Sequence, residues 1–68
     1  MAWSTIGNVI WNGYVRRVAW NGRTQEVERT FGDAKHLVDA KASRYVGKAG
    51  SRREALDLAL EDLKATFR

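Results

Sequence analysis

Ile10-Trp11-Asn12-Gly13-Tyr14-Val15-Arg16-Arg17-Val18 runs directly into Ala19-Trp20-Asn21-Gly22-Arg23-Thr24-Gln25-Glu26-Val27. The two stretches are copies of one nine-residue pattern, each centred on Trp-Asn-Gly between β-favouring residues. Asn-Gly is the strongest short-range hairpin signal, because both central residues of a type I′ turn need positive φ. Two such turns predict a three-stranded antiparallel meander over roughly residues 4–11, 14–20 and 23–31. Two-residue turns would set Trp11 opposite Tyr14, Val9 opposite Arg16, Trp20 opposite Arg23 and Arg16 opposite Val27.

Side chains alternate across a strand, so one face gathers Val9, Trp11, Tyr14, Val18, Trp20, Val27 and Phe31. Arg16, Arg23, Gln25 and Arg29 fall on the same face, at its expected rim. Trp11, Trp20 and Phe31 are expected in the core. The other face carries Ile6, Ile10, Val15 and Ala19 among Asn8, Arg17, Thr24, Glu26 and Glu28, with Arg17 set across from Glu26. The doublet Arg16-Arg17 points one arginine to each side unless a bulge intervenes.

After the meander, Gly32-Asp33 reads as a stop followed by an N-cap. Ala34, Leu37, Val38, Ala42 and Tyr45 then form one stripe at helical spacing, predicting a helix over 33–46 with Lys41, Arg44 and Lys48 on its flank. Gly47 would end it. Ser51 and Glu54 form a capping box that opens a helix over 51–67, whose apolar stripe is Leu56, Ala59, Leu60, Leu63 and Phe67. Leu58 lies off that stripe and reads as exposed. The expected fold class is α+β, β-β-β-α-α: a three-stranded antiparallel meander followed by two helices packed on one sheet face.

The chain has 68 residues, enough for a single domain spanning 1–68. So short a chain buries only about 60% of its unfolded surface, so aromatic burial matters. Cysteine and proline are absent, which excludes disulfides, cysteine-based metal sites and polyproline segments. No signal-peptide core or membrane-length apolar run appears, and a soluble, cytoplasmic protein is expected.

The formal net charge is +4, unevenly spread. Six cations (Lys35, Lys41, Arg44, Lys48, Arg52, Arg53) face only Asp33 and Asp39 between residues 33 and 53. Residues 54–68 carry Glu54, Asp57, Glu61 and Asp62 against Lys64 and Arg68. Such asymmetry speaks to partners rather than to fold.

Enzymatic chemistry finds little support. His36 is the lone histidine and falls away from the apolar stripe; Ser4, Ser43 and Ser51 lack a base at recognisable spacing. Asp57, Glu61 and Asp62 read as a solvated helix face, and no phosphate-cradling or dinucleotide fingerprint occurs. No catalytic residue, metal site or cofactor is expected. The basic segment says more. Gly47-Lys48-Ala49-Gly50-Ser51-Arg52-Arg53 leads into a helix start, where free N–H groups attract anions. Two arginines in that first turn oppose the helix dipole, and a phosphate would satisfy both arrangements. The alternative is a solubilising surface with no ligand. The candidate nucleic-acid contacts are Lys41, Arg44, Lys48, Arg52 and Arg53, with Arg17 and Arg23 from the sheet.

Residues 11–18, then Asn21-Gly22-Arg23, Arg29-Thr30-Phe31 and Ala34-Lys35, resemble the AP2-like, arm-type DNA-binding domain of tyrosine integrases. That family inserts a three-stranded sheet into the DNA major groove, and the resemblance implies DNA contacts by Arg16, Arg17 and Arg23. It covers about residues 5–46, and with no room in 68 residues for an attached recombinase catalytic domain, no integrase activity is expected. Gly47-Lys48-Ala49-Gly50 is similar to the GXXG loop of KH domains, although no strand follows it here.

The expected partner is DNA or RNA. The alternative is a protein partner, bound through sheet Trp and Arg residues as in compact phage-type accessory or inhibitor proteins. Open sheet edges also allow a self-associating protein, leaving monomer and homodimer both open.

Overall fold

In the computed structural model, which describes residues 2–68, the expected first hairpin is present. Strand β1 (Trp3–Trp11) pairs antiparallel with β2 (Tyr14–Asn21), setting Trp11 opposite Tyr14 and Val9 opposite Arg16. Asn12 and Gly13 take φ of 52° and 85°, the left-handed pair that a two-residue turn requires. A bulge at Ile6 shifts the register between Thr5 and Gly7.

The second Asn-Gly does something else. Asn21 is buried, and its Oδ1 accepts from the N–H groups of Arg23 and Thr24 at 2.9 and 3.1 Å. Its carbonyl accepts from the Gln25 N–H at 2.7 Å. The side chain thus builds a longer loop, as Asn can, and β3 (Glu26–Thr30) begins later than expected. Trp20 therefore sits opposite Val27 rather than Arg23, and Val18 opposite Arg29. The displacement is even, so the faces assigned to β2 and β3 survive. The expected Arg17–Glu26 pair does not form: Arg17 lies across from Asn8, and Glu26 across from Lys48.

The helix expected over 33–46 is absent. His36–Leu37 form a short strand, β4, parallel to β2, and Ser43–Lys48 form β5, antiparallel to β3. The sheet has five strands, ordered β1-β2-β3-β5 with β4 attached to β2. Lys41, Arg44 and Lys48 accordingly lie on a loop and a strand rather than along a helix flank, and the basic stretch is not helix-loop-helix. A helix gives each carbonyl to the N–H four residues on. Here the carbonyls of Gly32, Lys35, Val38 and Ala40 go instead to the guanidinium groups of Arg16 and Arg17. The Tyr45-Val46 end of the segment meanwhile completes the open edge of β3.

One helix follows, α1 (Arg52–Thr66). Ser51 caps it, its Oγ accepting from the Glu54 N–H at 3.2 Å, while the Glu54 carboxylate reaches the Gly50 N–H at 3.4 Å. The helix covers one sheet face. Val9, Val18 and Val27 meet Ala49, Ala55, Ala59 and Leu63 in the core, flanked by Tyr14, Trp20, Leu56, Leu60 and Phe67. Trp20 belongs there as expected, donating Nε1–H to the Ala49 carbonyl at 2.9 Å. Trp11 and Phe31 do not: both are exposed, Phe31 by 51%. Their places are taken by Arg16 and Arg29, 0% and 1% exposed rather than at the rim. Leu58 is half-buried over Gly47, not solvated.

Gly47 has φ of +138°, and a Cβ there would come within 2.9 Å of a Leu58 δ-carbon. Gly47→Ala is therefore expected to lower stability by about 2–3 kcal/mol, from backbone strain and overpacking together. Urea unfolding checks this, and a loss below about 0.5 kcal/mol would show the contact to be slack.

Candidate functional site

The arginine doublet of β2 is absorbed by the fold. Arg16, on the helix side, donates Nη1 to the carbonyls of Val15 and Lys35 at 2.9 and 2.8 Å, and Nη2 to that of Gly32 at 2.7 Å. Its guanidinium carbon stands 5.5 Å from the Tyr14 ring centre and 5.2 Å from that of Phe67. Those rings stack with centroids 3.9 Å apart. Burial, then the nearby Arg29 charge, pushes the Arg16 pKa below its ordinary value, while Tyr14 and Asp33 pull it back. Arg17, on the opposite face, donates to the carbonyls of Val38 and Ala40 at 2.5 and 3.2 Å. It is a clamp on the 38–40 segment.

A second group joins sheet to helix. Arg29 Nε lies 2.7 Å from Asp62 Oδ2, and its Nη2 donates to Thr66 Oγ1 at 3.1 Å. Arg44 approaches the same carboxylate, Nε to Oδ2 at 3.2 Å and Nη2 to Oδ1 at 3.4 Å. One aspartate thus serves a buried and a half-exposed arginine, and Arg44 is partly neutralised by the acidic helix.

Among the described residues, Arg23, Lys41, Lys48, Arg52 and Arg53 form no ion pair. Their positions divide. The loop bearing Arg23 is tied to the β5–α1 connection by a 2.8 Å bond from the Ala49 N–H to the Gln25 carbonyl. Arg23, Lys48 at the end of β5, and Arg52 and Arg53 in the first turn of α1 therefore share one end of the sheet. Arg44 lies four residues back along β5, about 13 Å away, and Lys41 precedes it at the far end. Lys48 also borders a shallow cleft with Glu54, Asp57, Leu58 and Glu61, an acid-rich lining that does not suit an anion. Gly47-Lys48-Ala49-Gly50 runs from strand to helix rather than between helices.

Arg16 and Arg29, expected at the rim, are buried structural groups. The signal for this was their strict phase with Val18 and Val27 on alternating positions. The sheet face left uncovered by α1 carries Ile10 as expected, and also Tyr45, which was expected on a helix stripe; the two are 65% and 53% exposed. That face mixes Arg17 with Glu26 and Glu28 and is not basic. No described helix is long and apolar enough to cross a membrane. No group of His, Asp or Glu among the described residues is arranged to hold a metal ion. The chain has no significant match among protein families, curated proteins or solved structures.

Removing one side of a buried ion pair strands the other charge, at a cost of about 3–5 kcal/mol. Asp62→Ala should destabilise the protein by about 3 kcal/mol, and Arg44→Ala, which breaks only the exposed contact, by less than about 1 kcal/mol. Equal losses in chemical denaturation would mean that Arg29 does not depend on Asp62.

Proposed function

We propose that the protein is a small, non-enzymatic module that binds DNA or RNA chiefly through phosphates. The observation that carries this reading is the set Arg23, Lys48, Arg52 and Arg53, gathered at one end of the sheet without ion-pair partners. Arg29 and Arg44, by contrast, already share an aspartate. Three arginines and a lysine beside the start of α1 form the kind of electrostatic footprint that attracts a polyanion. Arg17 and Arg44 have internal partners, Lys41 is remote and Lys48 borders the acid-rich cleft of Glu54, Asp57 and Glu61, so the contact set centres on Arg23, Arg52 and Arg53 with Lys48 at its margin. The sheet face used by AP2-like domains bears no excess positive charge here, so the contact falls at the end of the sheet. A cytoplasmic location belongs with this reading.

A second reading is favoured by the uncovered face itself. Ile10 and Tyr45 are large, exposed and set among mixed charges, a composition suited to a protein partner of the accessory or inhibitor type.

Fluorescence anisotropy with labelled duplex and single-stranded oligonucleotides at low salt separates the two. Under the first, binding appears in the range of about 1–100 μM, and log affinity falls linearly with log salt. Arg52→Ala should then reduce the slope by about one. Absence of binding at about 100 μM, or an affinity indifferent to salt, rules out the phosphate reading. Capture of one protein that resists nuclease and is lost in Tyr45→Ala would establish the second.

A further inference from the structure

We infer that the protein self-associates as a symmetric dimer, by antiparallel pairing of β1 with β1 of a second copy. The outer strands along the main path of the sheet are β1 and β5, with the two-residue β4 attached beside β2. The chemistry of β1 and β5 differs. β5 carries Arg44 and Lys48, charges of the kind that keep an edge from pairing. β1, Trp3–Trp11, is nine residues long and contains neither a charge nor a proline. In a chain of net charge +4, this is the edge at which two copies meet without opposing like charges.

Register follows from the hairpin. The turn-closing pair is Trp11 and Tyr14, and hydrogen-bonded and non-bonded pairs alternate from there. That alternation directs the N–H and C=O of Asn8 and Ile10 away from β2. A twofold axis at Val9 sets Asn8 opposite Ile10 of the partner subunit, so outward-directed groups meet outward-directed groups. The same axis sets Trp11 opposite Gly7 of the partner subunit. A Cβ on Gly7 would meet Leu56 Cδ2 at 3.6 Å, so the indole of the second copy packs over the glycine and against Leu56, an aromatic-over-glycine arrangement that sheets use to fix register. The bulge at Ile6 ends the flat part of the edge, so pairing is confined to Gly7–Trp11. The interface is small and its affinity modest. Because pairing uses β1 on both sides and β5 is charged, assembly closes at two copies instead of growing into a filament.

Sedimentation equilibrium on the full chain without nucleic acid, from about 10 μM to about 1 mM, tests this. The mass should rise from 7.7 kDa towards twice that value and stop. Amide exchange at Asn8 and Ile10 should slow as concentration rises. Ile10→Lys, at a side chain already exposed in the single copy, should weaken association at least about tenfold. Ile10→Pro, which removes an outward N–H, should do the same. Tyr45→Lys adds the same charge to β5 and should leave association unchanged. If Ile10 variants unfold, the exchange measurement on the unaltered protein decides. A mass of 7.7 kDa throughout, growth beyond a dimer, equal loss in Tyr45→Lys, or slowing at β5 in place of β1 would overturn the inference.

Discussion

Two adjacent arginines in β2 face opposite sides of the sheet, and both take carbonyl oxygens from the same later stretch of chain. Arg16 holds the carbonyls of Gly32 and Lys35 from the helix side, and Arg17 holds those of Val38 and Ala40 from the uncovered side. Hydrogen bonds from a charged donor contribute roughly 1.5–3 kcal/mol each, more than a neutral backbone bond in a helix. The segment between β3 and β5 has its own helical spacing, but its carbonyls are already claimed. Held this way, it lays β4 beside β2 and delivers β5 to the free edge of β3.

The rest of the core is arranged around the same substitution of charge for apolar bulk. The sheet contributes only Val9, Val18 and Val27 as fully buried aliphatics, against alanines and one leucine from the helix side. Arg16 fills the space at one end beneath the stacked rings of Tyr14 and Phe67, and Arg29 fills the next position against Asp62. Arg16 takes its carbonyls from Val15, Gly32 and Lys35, and its Nε is buried without a hydrogen-bond partner among the described residues. Arg29 is satisfied by Asp62 and Thr66 from late in the chain. Helix α1 is thereby fixed at its carboxyl end by polar contacts and along its length by small residues that let it lie close to the sheet. The charges left over at the opposite end are those without internal work, which is why the functional proposal rests on them.

Much of this was legible in the residues. The first Asn-Gly turn, the two faces of β2 and β3, the Ser51–Glu54 cap and the terminal helix follow from local chemistry and periodicity alone. What was not legible depended on contacts distant in sequence. Asn21-Gly22 repeats the dipeptide of the first turn, yet Asn21 spends its side chain on the loop that follows, and nothing local distinguishes the two copies. Ala34 to Tyr45 has a sound helical stripe, defeated by arginines some twenty residues earlier and by the open edge of β3 that takes its far end. Of the candidate contacts, Lys48, Arg52 and Arg53 are near neighbours in sequence, and the Ala49–Gln25 bond brings the loop bearing Arg23 to the same connection. The strand β5, in place of a helix, separates Lys41 and Arg44 from them.

Backbone amide exchange on Arg16→Met tests the clamp most directly. The Val15 N–H donates to the Lys35 carbonyl that Arg16 also holds. With the guanidinium gone, that amide should exchange at least about tenfold faster, together with its neighbours in 33–42, while the protected amides of α1 keep their rates. Unchanged protection at Val15, with the 33–42 segment as ordered as before, would contradict the account.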